Sequence, residues 1–245
     1  MKKYKFERIL YSENRIFYVP SLDNDFHTQY GFIKKKDLKK KSGIVRTNLG
    51  KKFFIMLPSY RDFFERLLRG PQIITLKDIG LIAFETGINK ESIVVDAGTG
   101  SGALALMLSL ISKRVISYEI RKEFYNLALK NRELFGVKNL ILKNKDLKHI
   151  SERNVDAIVL DMPQPWDYLP ECVDALKVGG YLVAYLPNIS QVIKNIEEQK
   201  KFKNVLHIKT IESFCREWII NEKQSRPKTE MLGHTGFITI SRRII

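Results

Sequence analysis

The sequence has 245 residues, 44% of them hydrophobic, enough for a buried core and too many for a disordered chain. That length suits one large domain, or one domain with a small appendage. Lys and Arg number 42 against 27 Asp and Glu, a formal net charge of +15. Such an excess favours anionic partners, nucleic acid first and an anionic membrane surface second; the bland alternative is a basic proteome. The two cysteines, Cys172 and Cys215, form no CxxC and no Cys/His cluster, so neither a disulfide framework nor a metal site is indicated. The start, MKKYKFERIL, is basic but lacks the apolar stretch of a signal peptide. The most apolar helical run, Ala103 to Ile111, is too short to span a bilayer. A soluble, cytoplasmic protein with no membrane partner is expected.

The pattern divides near residue 70, which predicts a small β-rich N-terminal domain over 1–68 and a second domain over 69–245. In the first, short segments such as RIFYVP and FFIMLP alternate with turn signals at Asp23-Asn24, Ser42-Gly43 and Leu49-Gly50. Basic residues gather there: Lys34, Lys35, Lys36, Lys39, Lys40, Lys41 and Arg46. They form either a solvated face or a phosphate-contacting surface.

Beyond residue 70, strands and helices alternate. IVVDA (93–97) reads as a buried strand and GALALMLSLIS as the helix after it. RVISYEI (114–120) is the second strand, followed by the helix EFYNLALKNRELF. NLILKN (139–144) and DAIVLDM (156–162) are the third and fourth strands. A helix ending at Gly179-Gly180 leads into the fifth, YLVAYLP (181–187), and SQVIKNIEEQKKF is the next helix. VLHIKTIE (205–212) and GFITISRR (236–243) close the set, with no convincing crossover helix between them, so an antiparallel last strand is expected. This is an α/β fold with a mostly parallel sheet covered on both faces.

The clearest motif is Asp96-Ala97-Gly98-Thr99-Gly100-Ser101-Gly102, where the first strand meets a helix. Glycines belong there because the turn is tight and a ligand lies against the backbone. Dinucleotide-binding enzymes use a similar device, so the motif alone decides little. Asp96 stands where it can anchor the amino-acid end of S-adenosyl-L-methionine. Glu119, closing the second strand, can accept hydrogen bonds from ribose hydroxyls, as it would in a nicotinamide site too. Asp146, after the third strand, can meet an adenine amino group. For Glu119 and Asp146 the plain alternative is a strand-end polar residue. The fourth strand ends in Asp161-Met162-Pro163-Gln164-Pro165-Trp166, similar to the Asp-Pro-Pro-aromatic loop of amino-group methyltransferases. Two prolines stiffen such a loop, and Asp161 can hydrogen-bond an adenine amine, orient the base and take a proton. Trp166 is either a stacking surface or a wall of the core, the wall being favoured.

On these residues the chain resembles the tRNA adenine-N1 methyltransferase family that acts at adenine 58 of the T-loop, called TrmI in prokaryotes. The resemblance runs through DFHTQYG (25–31), GIVRTNLGKKFFIMLPSY, RGPQIITLKDIGLI (69–82), VVDAGTGSGALALML, VISYEIRKEF, DAIVLDMPQPWD, GGYLVAYLPNISQV and RPKTEMLGHTGFITISRR (226–243). It implies a class I, Rossmann-like methyltransferase domain with a seven-stranded sheet. It also implies a β-rich domain for tRNA binding or oligomerisation, a homotetramer, and no metal. It implies cofactor contacts from Gln72, from the Gly98 turn through Gly100, Ser101, Gly102, Ala103 and Leu104, from Glu119, around Phe124, and from Asp146 and Leu147. It places the catalytic aspartate at Asp161 and an aromatic near the target base at Tyr185. The sequence departs from the family at one place: Thr75-Leu76 stands before Lys77-Asp78, where Tyr or His followed by Pro is usual. That substitution bears on base positioning and on the choice between adenines 57 and 58; archaeal relatives modify both.

Three other readings stand beside this one: an amino-group methyltransferase on other RNA or DNA adenines, a non-catalytic tRNA-binding subunit, and a dinucleotide-dependent oxidoreductase. The presence of Gly98, Gly100, Gly102, Glu119 and Asp161 speaks against a decayed subunit. His234 is expected to support the loop before the last strand, having no identifiable carboxylate partner. Cys215 and Trp218 are expected in the core.

Overall fold

The computed structural model describes residues 6–12, 15–70 and 72–245. The first five residues of the basic start, and Pro71 of the Pro-Gln stretch, lie outside the described residues. The chain separates into two compact units, Met1–Leu67 and Leu68–Ile245.

The first unit carries strands β1 (Arg8–Ser12), β2 (Arg15–Val19), β3 (Phe26–Thr28) and β4 (Gly31–Ile33), the short helix α1 (Lys35–Leu38), strands β5 (Ser42–Arg46) and β6 (Lys52–Met56), and helix α2 (Tyr60–Glu65). Four strands form an antiparallel sheet in the order β2-β1-β6-β5. Alternation sends Leu10, Val19, Val45, Phe53 and Ile55 to one face, where they pack with Ile33 and Leu38. The turn at Leu49-Gly50 joins β5 to β6 as expected, but Ser42-Gly43 is not a turn: it opens β5, paired with Met56 and Ile55. The lysines at 34, 35, 36, 39, 40 and 41 and Arg46 are all exposed.

The second unit holds helix α3 (Leu76–Glu85), β7 (Ile93–Ala97), α4 (Ala103–Ser109), β8 (Arg114–Tyr118), α5 (Lys122–Phe135), β9 (Leu140–Lys143), β10 (Val155–Leu160), α6 (Leu169–Ala175), β11 (Leu176–Leu186), α7 (Ile189–Gln199), β12 (Val205–Glu212), β13 (Trp218–Asn221), β14 (Gln224–Pro227) and β15 (Phe237–Arg243). Seven strands form one sheet in the order β12-β15-β11-β10-β7-β8-β9, in which β15 runs antiparallel to both neighbours. The central strands are buried on both faces, so they read as apolar runs: Val94, Val95, Val155 and Ala157 through Leu160 are inaccessible or nearly so. Among the described residues no helix is long and apolar enough to cross a membrane.

Two expectations are corrected here. The helix before the fifth strand ends at Ala175, and Gly179-Gly180 lies inside β11. The register against β10 shifts there, and a Cβ on Gly180 would meet the Lys177 carbonyl at 2.9 Å, so the glycines serve an irregular strand and not a helix end. Cys215 and Trp218 are not core residues: Cys215 is exposed, and Trp218 is 59% exposed on the β13–β14 hairpin.

Candidate active site

Strand β7 is flanked by β8 on one side and β10 on the other, so the connections leaving the carboxyl ends of β7 and β10 diverge. In parallel sheets that divergence opens a crevice. Gly98, at φ +92°, takes the chain out of β7, and a Cβ there would lie 1.9 Å from the Asp161 carbonyl oxygen. Only glycine fits this approach. The Asp161 N–H donates to the Ala97 carbonyl at 2.8 Å, which locks the catalytic-loop candidate against the glycine turn. Asn131, fully buried on α5, donates to the carbonyls of Ser101 at 2.8 Å and Leu68 at 2.9 Å, and thereby ties the turn to the segment leading to Gln72.

The cleft has two lobes. One, of about 430 Å³, is lined by Ala97, Tyr118, Glu119, Leu147 and the Met162–Gln164 loop. The other, of about 220 Å³, is lined by Gln72, Gly100, Ser101, Ala103 and Leu104. Gly98, Arg121 and Asp161 border both lobes. The structure thus gathers nine of the residues singled out in the sequence, Gln72, Gly98, Gly100, Ser101, Ala103, Leu104, Glu119, Leu147 and Asp161, around one space.

The others stand just outside it. Gly102, at φ +82°, starts α4. Asp146 caps the turn after β9 by accepting the Lys148 N–H at 2.9 Å, between the lining residues Lys145 and Leu147. Phe124 lies under the Arg121 guanidinium, 4.0 Å from its ring centroid. Asp96 lies buried beneath the turn. Tyr185 belongs to a separate network described below. Trp166 packs against the core, with the Lys194 ammonium 4.5 Å above its ring.

The carboxylates around the cleft differ in their partners. Glu119 Oε2 accepts the Gly100 N–H at 2.9 Å, and its Oε1 accepts from the backbone and side chain of Arg121 at 3.0 and 3.3 Å. Asp96 Oδ2 accepts from Ser117 at 2.5 Å, while Asp96 Oδ1 and the neighbouring Ser101 Oγ are buried without a partner. Burial pushes the Asp96 carboxyl up to about 7 against the Ser117 hydrogen bond. Burial, and then the charge of Asp96, push Asp161 up to about 7 as well. The cleft therefore has a glycine-walled floor with unpaired polar atoms buried beneath it, and a carboxyl group poised to change protonation near neutrality.

A second group of polar residues escaped the sequence reading. Asp78, on α3, is fully buried, with Lys77 beside it at 2.7 Å. The Tyr185 hydroxyl donates to Asp78 at 3.2 Å. The resemblance contained Lys77-Asp78 as part of a stretch, but nothing local indicates that the pair is buried. His234 does support the loop before β15, yet it has a carboxylate partner after all. Its Nδ1 lies 2.6 Å from Glu212 and its Nε2 2.8 Å from the Pro187 carbonyl.

Comparison with known proteins decides between the readings. The family described as "tRNA methyltransferase complex GCD14 subunit" matches residues 63–225. The chain is 36% identical to the tRNA (adenine(57)-N(1)/adenine(58)-N(1))-methyltransferase TrmI of Methanocaldococcus jannaschii, over 89% of this chain and 87% of that one. The chain belongs to the TrmI family. A TrmI of Thermus thermophilus, named for adenine 58, is 30% identical over 82% of this chain and 81% of its own. Among solved structures, TrmI from Aquifex aeolicus superposes with a TM-score of 0.80 at 26% identity, covering 100% of this chain and 99% of that one. A Thermotoga maritima protein described as a SAM-dependent O-methyltransferase reaches 0.86 at 30% identity, covering 99% and 94%. TrmI membership sets aside the dinucleotide-dependent oxidoreductase, and the fold is that of SAM-dependent methyltransferases.

Proposed function

We propose that the chain is a tRNA (adenine-N1)-methyltransferase that uses S-adenosyl-L-methionine to methylate N1 of adenine 58 in the T-loop, with adenine 57 as the second position. The observation that carries this reading is the 36% identity to a relative named for that activity, along 89% of the chain. The cleft supports it. The turn at Gly98 leaves no room for a Cβ, and Asp96 Oδ1 and Ser101 Oγ stand buried and unpaired beside it, as a polar ligand requires.

Gln72, the turn from Gly98 through Gly100, Ser101, Gly102, Ala103 and Leu104, and Asp96 beneath it would hold the amino-acid end of the cofactor. Glu119 and Phe124 would hold the ribose side, and Asp146 and Leu147 the adenine. When bound, the cofactor supplies an electrophilic methyl group carried on a sulfonium sulfur. Asp161 accepts a hydrogen bond from the exocyclic amine of the target base, which orients N1 and raises its electron density. Its negative charge offsets the positive charge the ring acquires when N1 is alkylated. Pro163 and Pro165 limit the freedom of the loop, and Gln191 donates to the Pro163 carbonyl at 3.1 Å. Tyr185 is the aromatic next to the base.

The target adenine is stacked within folded tRNA, so it leaves the stack to reach Asp161. The exposed lysines of the N-terminal unit hold phosphates, and affinity falls with salt accordingly. The enzyme works as a cytoplasmic homotetramer; exposed apolar side chains such as Leu206, Ile208, Trp218 and Ile220 supply contact area. Unmodified tRNA transcripts incubated with labelled S-adenosyl-L-methionine, and parallel transcripts with adenine 57 or 58 replaced by guanine, test the reading. N1-methyladenosine that disappears with one replacement supports it and names the position. Absence of product, with cofactor bound, overturns it.

A further inference from the structure

Asp78 accepts four hydrogen bonds from side chains of three segments. Its Oδ1 accepts from Lys77 Nζ and Ser213 Oγ, both at 2.7 Å. Its Oδ2 accepts from Thr75 Oγ1 at 2.9 Å and from the Tyr185 hydroxyl at 3.2 Å. Those contacts fill the lone-pair sites of a carboxylate. Lys77 also donates to Thr235 Oγ1 at 2.7 Å and to the Ser213 carbonyl at 2.9 Å. The first turn of α3 is thus joined to the end of β11, to the residue after β12 and to the loop before β15.

Tyr185 is held a second way. A Cβ built on Gly236 would lie 2.5 Å from the Tyr185 ring, so that ring rests directly on the Gly236 backbone. With its hydroxyl proton committed to Asp78 and its ring packed against a glycine, Tyr185 is held at both points. That position is one strand away from Asp161, since Leu160 pairs with Ala184 in the sheet.

We infer that Asp78 is a positioning residue for methyl transfer, acting through Tyr185, which it clamps against Gly236 beside the base held by Asp161. This rests on the proposed reading of the β10 and β11 ends as the transfer site. Asp78 borders neither lobe of the cofactor cleft, so its effect falls on the base and not on the cofactor. The Thr75 hydroxyl takes part in the clamp from the position where the resembling family carries an aromatic or a histidine. Tyr185 does not act as a base: burial first, and then the neighbouring carboxylates of Asp78 and Asp161, raise its hydroxyl above the ordinary phenol range.

The test is a double-mutant cycle with Asp78→Asn, Tyr185→Phe and the double variant. It is read on kcat for tRNA methylation, on cofactor affinity by calorimetry and on the urea unfolding midpoint. Tyr185→Phe removes one oxygen and is expected to fold. It lowers kcat about tenfold, the size of a lost hydrogen bond to a charged acceptor. Asp78→Asn lowers kcat at least as far, the double variant is no worse than Asp78→Asn, and cofactor affinity stays at the wild-type value. A wild-type kcat for Tyr185→Phe overturns the inference, whether or not Asp78→Asn folds. Effects that multiply in the double variant overturn it too, as does a parallel loss of cofactor affinity. If the wild-type chain methylates no tRNA, the functional reading fails separately; the Asp78–Tyr185 coupling is then read from unfolding midpoints, and additive midpoints overturn the clamp.

Discussion

Asp78 and Asp161 are two carboxylates withdrawn from water in one domain, and they titrate in opposite directions. Burial would raise both. At Asp78 the hydrogen bonds, led by those from Lys77 and Ser213, outweigh burial, and the carboxyl lies below its ordinary range. At Asp161 nothing offsets burial, and the charge of Asp96 adds to it, so the group sits at about 7. The difference separates a carboxylate that organises structure from one left free to meet a substrate. A filled coordination shell makes the first rigid and inert; an empty one keeps the second reactive.

The comparison breaks most visibly at Asp161. Asp161→Ala is expected to retain cofactor binding and to lose about 10²–10⁴-fold in methylation rate, the range of a positioned acid–base group. A variant turning over at the wild-type rate would remove Asp161 from the chemistry. Asp78→Ala should lower the rate as Asp78→Asn does and also cost about 3–5 kcal/mol of stability, because it leaves Lys77 facing its hydroxyl partners without a counter-charge. Urea denaturation checks this, and a shift below about 1 kcal/mol, the net worth of one ordinary hydrogen bond, would mean that the pair is dispensable. Glu119→Ala falls between the two sites in kind: it should weaken cofactor binding by about 1–3 kcal/mol, seen as a higher Kd in calorimetry. An unchanged Kd speaks against its place on the ribose.

The smallest effect is the pH response. In the proposed role, Asp161 is ionised to accept the amine hydrogen bond. Its raised pKa means that kcat/KM falls below about pH 7 and levels off above it. The sign for stability runs the other way. Between the ordinary carboxyl range and about pH 7, Asp96 and Asp161 keep protons that the unfolded chain has released, so their contribution to stability declines as pH rises through that window. Asp78 contributes with the opposite sign. Its stabilisation is complete above 3.8 and is lost as pH falls through its depressed folded value. A kcat/KM profile flat from about pH 6 to 8 would contradict the assignment of Asp161 as the titrating group.

Most of the sheet was legible because periodicity reports burial. IVVDA and DAIVL have no polar face to show, and each became a central strand. The antiparallel β15 was legible from the missing crossover helix. Trp218 was misplaced because an apolar side chain looks the same on a protruding hairpin as in a core; β13–β14 pairs with itself, outside the main sheet. Gly179-Gly180 misled because glycine marks both helix ends and strand irregularities, and only the register against β10 separates the two.

By itself, the sequence determined the α/β class, the glycine turn at Gly98, and the strand-end acids Glu119, Asp146 and Asp161, since each depends on residues adjacent along the chain. Only the tertiary structure decided that Asp78 is buried with Lys77 and receives the Tyr185 hydroxyl from a strand far along the sequence. Only the fold showed that Asn131 ties Leu68 to Ser101, and that Arg121 borders both lobes of the cleft while pairing with Glu119. The physical reason is that a strand-end motif is a local constraint on the backbone. A hydrogen-bond network is closed by whatever the sheet order brings within 3 Å or so, a distance that no spacing along the chain encodes.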